Sequence, residues 1–161
     1  MHSTAQKVAN AAQQLGLTIE IKEFEASTRT AQEAADAIGC SVGQIVKSLL
    51  FVVDEQPVMA LVSGANQLDE KKLAALCSVG RKKVKRGNAD ITREATGFAI
   101  GGVPPFGHAR QLPTYIDEDF ARFEIIWAAA GTPNAVFAIT LANLVQTTQG
   151  TIASLKDERS R

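Results

Sequence analysis

The central part of the fold is predicted from two neighbouring stretches, Ile45-Val46-Lys47-Ser48-Leu49-Leu50-Phe51-Val52-Val53 and Pro57-Val58-Met59-Ala60-Leu61-Val62-Ser63. Both stretches are rich in β-branched and other apolar residues, which favours β-strands. The polar residues between them, Asp54, Glu55 and Gln56, suit a tight connection. The two stretches therefore predict a β-hairpin, around which the other elements are arranged.

Five helices are predicted from start and stop signals in the rest of the chain. Thr30 and Glu33 form a capping box, and Gly39 is placed to end that helix. Asp69 and Asn88 suit the N-cap positions of two further helices. The predicted helices cover residues 5–15, 30–39, 69–80, 88–97 and 141–147.

Further short strands are predicted from β-rich runs between these helices. They cover residues 18–24, 98–100, 114–116, 122–128 and 135–140, with residues 81–86 as a short strand or a loop. Helices are thus interspersed among hairpin-linked strands and do not alternate strictly with them. This pattern predicts an α+β fold with a mixed sheet, and it argues against a doubly wound fold.

Length and composition indicate one ordinary globular domain, spanning residues 1–161. Hydrophobic residues make up 45% of the chain and charged residues 21%, which excludes disordered and collagen-like classes. Cys40 and Cys77 form no C-x-x-C pair, so we expect reduced thiols in a cytoplasmic protein. With His2 and His108 they are the only soft metal ligands, so we expect neither a metal nor a cofactor. We also expect neither a signal peptide nor a membrane span.

Lys47 is the first candidate functional residue, because it interrupts an otherwise apolar strand. Strand parity places it on the same face as Leu49 and Phe51. An ammonium among apolar neighbours is costly unless it is paired or reaches a wet cavity. Lys47 is therefore either a pocket residue directed at an anion or a polarised carbonyl, or a lysine whose long side chain reaches the surrounding water.

The loop that begins at Gly101 and Gly102 and runs through Pro105 to His108 is the second candidate. Glycines allow close main-chain approach, and prolines stiffen the segment. Exposed main-chain N–H groups in such a loop can hold a carboxylate, a phosphate or a developing oxyanion. The loop matches neither nucleotide-binding fingerprint, G-x-G-x-x-G or the Walker loop. An ordinary rigid turn remains the alternative.

A basic run is the third candidate, because residues 71–86 hold seven of the 17 basic residues and no acidic residue. The rest of the chain therefore carries a net charge of −7, although the whole chain is neutral. This asymmetry favours a polyanionic partner, with a solvated helix face and loop as the alternative. The basic residues of the run are Lys71, Lys72, Arg81, Lys82, Lys83, Lys85 and Arg86.

Two other segments carry weaker signals. The three adjacent carboxylates Asp117, Glu118 and Asp119 contain a candidate catalytic pair, but such a cluster after a strand is more typical of a solvated turn. The small-residue loop at 129–134 is either a pocket wall or a plain turn. A serine nucleophile is not predicted, because the chain has no G-x-S-x-G elbow.

Four stretches in order along the chain resemble the YbaK/ProX family, the free-standing relatives of the editing (insertion) domain of bacterial prolyl-tRNA synthetase. The resemblance covers nearly the whole chain, and the family's G-x-x-x-P loop matches the segment from Gly101 to Pro105. The four stretches are Gly43-Gln44-Ile45-Val46-Lys47-Ser48-Leu49-Leu50-Phe51, Ser63-Gly64-Ala65-Asn66-Gln67-Leu68-Asp69, residues 101–108 and residues 117–131.

The resemblance implies a compact α+β domain with a strongly curved, barrel-like mixed sheet flanked by helices. It also implies an activity, the hydrolysis of the ester between a wrong, small amino acid and the 3′ end of tRNA(Pro) or a related tRNA. Lys47, Gly101 and Gly102 carry over as the catalytic group. The implied substrate pocket contains Ser63, Gly64, Asn66, Pro105, His108, Ala130, Gly131 and Thr132.

The expected partners are aminoacyl-tRNA, bound through the basic run, and an aminoacyl-tRNA synthetase as a further candidate; neither DNA nor a membrane is expected. Some relatives carry a histidine shortly after the Ala-Gly pair, whereas Thr132 follows Gly131 here. An aminoacyl ester is already activated, so direct attack by water needs no protein nucleophile. Two other functions remain open: a non-catalytic module that binds tRNA or a synthetase, and a small-ligand pocket in which Lys47 pairs with a carboxylate.

Overall fold

The computed structural model describes residues 3–26, 28 and 30–159. The α-helices are α1 (Ser3–Gln14), α2 (Ala31–Ile38), α3 (Glu70–Leu76), α4 (Ala89–Thr96) and α5 (Leu141–Thr148). The strands are β1 (Ile21–Glu23), β2 (Val46–Val53), β3 (Gln56–Ser63), β4 (Val84–Arg86), β5 (Thr114–Asp117), β6 (Ile126–Ala129), β7 (Ala135–Ile139) and β8 (Thr151–Ala153). Short 3₁₀ helices lie at Val42–Gln44, Arg81–Lys83 and Glu118–Arg122.

The predicted hairpin is confirmed as the pair of β2 and β3. The two strands are antiparallel over their full length, from Val46 opposite Ser63 to Val53 opposite Gln56. Asp54 and Glu55 form the turn with φ angles of 49° and 68°. Positive φ at both central positions is the geometry whose twist matches that of the flanking strands.

The strands form two sheets. One contains five strands in the order β4-β2-β3-β5-β8, with parallel pairing on both sides of β5 and antiparallel pairing elsewhere. The other is antiparallel, with the order β1-β7-β6. A single bridge between Ile45 and Trp127 links them. The α+β class with mixed pairing is confirmed, but the described strands do not close into a barrel, so the expected barrel-like curvature is not confirmed.

The hairpin contributes to two separate apolar cores, one on each of its faces. Leu50, Met59 and Leu61 pack into the first core with α1, β6 and β7. Phe51 and Val62 pack into the second core beneath α3. Full burial of one such side chain stabilises the fold by about 1.5–3 kcal/mol. Burial on both faces explains why these strands are almost continuously apolar in sequence.

The helix caps follow the sequence signals. Thr30 and Glu33 form the predicted capping box, and Gly39 ends α2 with a φ of 84°. The side chains of Asp69 and Asn88 accept hydrogen bonds from the first turns of α3 and α4. None of the described helices is long and apolar enough to cross a membrane.

Several strand predictions were wrong in their bounds. The segment 98–100 forms a bend and a turn, because Phe98 is tied to the end of α4 through the Thr96 hydroxyl. The segment 122–128 divides into the end of a 3₁₀ helix and β6. Within 18–24 only Ile21–Glu23 is a strand, since only those residues pair with β7. The three-residue strand β8, which pairs with β5, was not predicted from the sequence.

Gly64→Ala is expected to lower the free energy of unfolding by about 1–3 kcal/mol, because a methyl group there collides with the main-chain oxygen of Val42 and with Ala31. Urea denaturation measures the change. Gly80→Ala is the matched control, since Gly80 is exposed, has a φ of −73° and has no atom within 4 Å of the added carbon. A Gly64→Ala protein as stable as the Gly80→Ala protein would contradict this packing argument.

Candidate functional site

A cavity of about 340 Å³ lies between the two sheets, beside the start of the hairpin. Six consecutive residues, 45–50, form one of its walls. The opposite wall comes from Trp127, Ala128 and Ala129 of β6, and α2 contributes Ala31 and Ala34. Most of this lining is apolar, so the polar groups that reach the cavity define its chemistry.

Six consecutive residues line the cavity because the edge of β2, and not one of its faces, is directed at it. Side chains alternate between the faces of a strand, so a face would contribute every second residue. On this edge β4 pairs with β2 only from Phe51 to Val53. The bridge to Trp127 lies at Ile45. The part of β2 between these contacts borders the cavity directly.

Lys47 lines this cavity and is half-buried. Its Nζ donates a hydrogen bond to the main-chain oxygen of Asn66. Burial lowers the pKa of Lys47 below its ordinary value, and the positive charge of Arg86 lowers it further, while the negative charge of Asp117 acts in the opposite direction. Lys47 is thus a lining residue of the cavity, and its ammonium is held by the main-chain oxygen of Asn66.

A buried polar network holds the acceptor of Lys47 in place. The side-chain amide of Asn66 donates to Asp117 Oδ2 at 2.9 Å and to Asp119 Oδ2 at 2.8 Å. The main-chain N–H of Ser63 donates to the same Asp117 oxygen at 3.0 Å. The Ser63 hydroxyl donates to the main-chain oxygen of Gly43. Asn66 thus holds Lys47 directly, and Ser63 is linked to Asn66 through Asp117. Neither Ser63 nor Asn66 belongs to the cavity lining.

The solvated-turn prediction for the acidic cluster was wrong at Asp117. Asp117 is fully buried at the end of β5, where it accepts three hydrogen bonds, from Ser63, Asn66 and Asp119. A buried donor left without its acceptor would lower the stability of the fold by about 1–3 kcal/mol. Glu118 is exposed, as the prediction had it. Asp117 therefore organises the segment that contacts Lys47.

Arg86 is the second cation of the cavity, although the sequence analysis placed it in the basic run. Its guanidinium carbon lies 5.7 Å from the centre of the Phe51 ring. Arg86 is exposed as a whole residue, but partial burial lowers its pKa, and the negative charge of Glu70 opposes this. Among the described residues no aspartate or glutamate lines the cavity. Two basic residues thus line a largely apolar cavity whose described lining contains no carboxylate.

The glycine loop contributes one residue to the cavity and uses another to fix the wall. Gly101 lines the cavity and has a φ of 95°, in the region that favours glycine. Gly102 is buried; its N–H donates to Ala99, and its oxygen accepts from the N–H of Gly131 at 2.9 Å. A methyl group on Gly102 would lie 2.8 Å from the Gly131 oxygen, so this contact requires a glycine.

The remaining predicted pocket residues lie outside the lining of this cavity. Pro105 and His108 line a second cavity of about 430 Å³ beside α1 and α5. His108 Nε2 lies 2.6 Å from the Pro104 oxygen, and burial lowers the pKa of His108. Gly64 lies beneath the start of the hairpin. Ala130, Gly131 and Thr132 follow the β6 wall, and the Thr132 hydroxyl is bonded to Asn134.

The basic run divides into paired and unpaired residues. Lys72 forms an ion pair with Glu158 at 3.0 Å and also donates to the Lys156 oxygen. Arg81 forms an ion pair with Glu70. The other five have no ion-pair partner within the described part of the chain, and all five are exposed. They are Lys71, Lys82, Lys83, Lys85 and Arg86.

Most of the cavity lining was not predicted from the sequence, and three residues illustrate why. Trp127 belongs to a predicted strand but gave no signal for the site, although it is the chain's only tryptophan. Thr28 lies in an irregular segment and therefore has no periodicity to place it. Ser48 follows Lys47, and alternation alone assigns it to the opposite face. β4 is shorter than β2 and leaves the edge of β2 unpaired beside the cavity. This unpaired edge depends on which strands pair, so it could not be predicted from local sequence.

Known proteins resemble this chain over most of its length. Residues 25–147 match the family model described as the aminoacyl-tRNA editing domain. The YwhH protein of Bacillus subtilis is 33% identical over 75% of this chain and 76% of its own length. A protein of Enterococcus faecalis, provisionally named a Cys-tRNA(Pro)/Cys-tRNA(Cys) deacylase, is 31% identical over 78% of this chain and 76% of its own length.

A solved structure shows the same similarity in three dimensions. It is provisionally described as a trans-editing enzyme for prolyl-tRNA synthetase, and it superimposes with a TM-score of 0.92 at 44% identity. The match covers 98% of this chain and 99% of the other. The family match spans most of the chain and includes Lys47, Arg86 and Gly101. The chain belongs to the aminoacyl-tRNA editing domain family.

Proposed function

We propose that this protein is a trans-editing aminoacyl-tRNA deacylase that hydrolyses the ester of a small amino acid on tRNA(Pro) or a related tRNA. Residues 1–161 act as one deacylase domain in the cytoplasm, with a synthetase as a further partner. Relatives with deacylase and trans-editing names support the activity. Lys47 and the loop from Gly101 to Pro105 position the 3′-terminal aminoacyl-adenosine.

The observation that carries this proposal is the pair of cations at a cavity whose described lining contains no carboxylate. Lys47 and Arg86 carry like charges, and after burial the charge of Arg86 is the second cause that lowers the pKa of Lys47. An anionic ligand removes this repulsion and gains charge-assisted hydrogen bonds. The 3′ end of a tRNA supplies phosphates next to the aminoacyl ester, so the two cations suit its terminal nucleotides.

The other walls support a small amino acid as the group removed. Ala31, Ala34, Ala128 and Ala129 line the cavity, whose volume of about 340 Å³ is at the lower end for ligand sites. One methylene in an apolar pocket is worth only about 1–3 kcal/mol to a synthetase, so small analogues are mischarged. A second pocket that admits only small side chains can remove them.

Hydrolysis in this site needs no protein nucleophile. The oxygen of a water molecule bonds to the ester carbonyl carbon, the bond from that carbon to the ribose oxygen breaks, and the ribose oxygen takes a proton that the water releases. The products are a free amino acid and a tRNA with a free terminal hydroxyl. Gly101 N–H has no acceptor among the described residues and is the proposed donor to the oxyanion. A neighbouring ribose hydroxyl of the substrate can orient the water.

A non-catalytic module that binds tRNA or a synthetase is the second candidate. The five exposed, unpaired cations of the basic run favour it as much as they favour the enzyme, because both functions need a tRNA-binding surface. The two candidates differ in turnover. A binding module retains the charged tRNA and releases no amino acid.

Lys47→Ala is expected to reduce deacylation by at least about 100-fold, because it removes the ammonium that binds the terminal nucleotide in the cavity. The measurement is a panel of tRNA(Pro) charged with alanine, cysteine, serine or threonine, with amino-acid release followed over time. Lys7→Ala, an exposed lysine on α1, is the control and is expected to match the wild type.

Full activity in Lys47→Ala would contradict the role of Lys47. Binding of charged tRNA by the wild type without release of any amino acid above the spontaneous rate would replace the enzyme with the binding module. Thermal melts of each variant separate loss of function from loss of folding. Lys47 makes a single hydrogen bond to a main-chain oxygen, so we expect the Lys47→Ala protein to remain folded.

The affinity for uncharged tRNA is expected to fall at alkaline pH, starting below the pH at which an ordinary lysine, with a pKa of about 10.4, loses its proton. Burial and Arg86 lower the pKa of Lys47, so its ammonium is neutralised earlier as pH rises. Fluorescence anisotropy with labelled tRNA between pH 7 and 10 measures this loss. Lys47→Arg retains its charge throughout this range and should lack this component. Parallel pH profiles for the two proteins would contradict the assignment.

Lys82→Ala/Lys83→Ala is expected to weaken tRNA binding and to reduce the steepness of its salt dependence, because each phosphate contact contributes about 0.7–0.9 to the slope of log affinity against log salt. Both residues are exposed and precede β4, which leads to Arg86. Lys7→Ala/Arg110→Ala removes the same charge from other exposed positions. Equal slopes for the two double variants would show that the basic run does not contact the tRNA.

A further inference from the structure

The open edge of β2 presents main-chain hydrogen-bonding groups to the cavity at Ser48. The oxygen of Ile45 accepts from Gly64, which shows that odd-numbered residues of this segment direct their N–H and C=O groups toward β3. The oxygen of Leu50 accepts from Gly87, on the opposite edge. In a β-ladder these directions alternate, so the N–H and C=O of Ser48 point away from β3.

No strand lies opposite Ser48 on that edge among residues 3–26, 28 and 30–159. β4 begins its pairing at Phe51, and the bridge to β6 is at Ile45. Ser48 is half-buried as a residue, yet its hydroxyl oxygen is shielded from solvent and has no described hydrogen-bond partner. The accessible atoms of Ser48 are therefore those of its main chain and its Cβ.

An unpaired strand edge binds groups that resemble another strand. An aminoacyl ester carries the same pair of groups as one residue of a strand: its α-ammonium is a donor, and its ester carbonyl is an acceptor. In a narrow antiparallel pair, two opposed residues exchange both hydrogen bonds. A single aminoacyl group can make the same two bonds with Ser48.

We infer that the aminoacyl group of the substrate binds as a one-residue extension of the sheet along the open edge of β2. Its α-ammonium donates to the C=O of Ser48, and its ester carbonyl accepts from the N–H of Ser48. This inference rests on the proposed deacylase function and specifies how the acyl group is recognised. On the substrate side the contact uses only the α-ammonium and the ester carbonyl, which every aminoacyl ester has, so it is available to every amino acid.

The charges in the cavity make a neutral main-chain oxygen a suitable acceptor. The described lining offers the ammonium no carboxylate, while Lys47 and Arg86 repel it. A hydrogen bond between a charged donor and a main-chain oxygen still contributes more than a neutral one. The α-ammonium then identifies the acyl group as an amino acid, and the small apolar wall selects its side chain.

The test compares each aminoacyl ester with its counterpart that lacks the amino group. The substrates are tRNA(Pro) carrying alanyl or propionyl, seryl or 3-hydroxypropionyl, and cysteinyl or 3-sulfanylpropionyl esters. Each enzymatic rate is divided by the spontaneous rate of the same ester, because the ammonium also activates the ester chemically. We expect kcat/KM, corrected in this way, to fall about 10- to 100-fold when the amino group is removed.

A binding measurement locates the contact without turnover. The probes are 3′-alanylamino-3′-deoxyadenosine and its propionyl analogue, whose amide bonds resist hydrolysis. Binding is followed by the fluorescence of Trp127, the only tryptophan, which lines the same cavity. In ¹⁵N-labelled protein the Leu49 amide reports on the Ser48 carbonyl, since both belong to one peptide group. We expect the alanyl probe to shift the Ser48 and Leu49 resonances and the propionyl probe to leave Leu49 unchanged.

The outcomes separate this inference from the proposed function. Equal corrected rates for aminoacyl and deamino esters, with both cleaved, would overturn the inference and leave the deacylase intact. Binding of the alanyl probe without a shift at Leu49 would also overturn it. If no ester is cleaved above its spontaneous rate, the deacylase fails. In that case equal affinity for the two probes overturns the inference, and tighter binding of the alanyl probe with a Leu49 shift supports the recognition of the α-ammonium.

Discussion

The antiparallel register of β2 on β3 fixes the two apolar cores and the position of Lys47. The buried apolar residues of both strands alternate between the two cores, one on each face of the hairpin. A shift of one residue would exchange all of these assignments and move Lys47 to the face of Ser48. The register also aligns Ser63 with Val46, which brings the segment after β3 back beside Lys47. The same register therefore determines both how the hairpin packs and where the Lys47 ammonium lies.

A buried polar network around Asp117 fixes Asn66, whose main-chain oxygen accepts the hydrogen bond from Lys47. Asp117 is a carboxylate removed from water, and it is tolerated there because N–H donors surround it. The same hydrogen bonds connect β5 to the last residue of β3 and to Asn66, which follows that strand. Loss of one donor would leave the others in place but the charge less compensated, so the segment is held by a network and not by a single bond.

Local signals predicted much of the fold, and long-range pairing determined what they missed. The hairpin, the helix caps at Thr30 and Asn88, and the unusual position of Lys47 were visible because each depends on residues close in sequence. The burial of Asp117 was not, since its donors Ser63 and Asn66 are 54 and 51 residues away. The position of Arg86 at the cavity depends on the pairing of β4 with β2, which residues 81–86 alone do not specify.

The hydrogen bond between Gly102 and Gly131 limits how far two segments near the cavity can move apart. The oxygen of Gly102 accepts from Gly131, so the loop that contributes Gly101 and the segment that follows β6 are joined backbone to backbone. Neither segment can move away without breaking a buried hydrogen bond, and neither carries a side chain at this point that could rearrange. The walls are therefore preorganised, and a ligand loses mainly its own conformational freedom on entering. A group larger than the cavity would meet two segments that cannot separate without breaking this hydrogen bond.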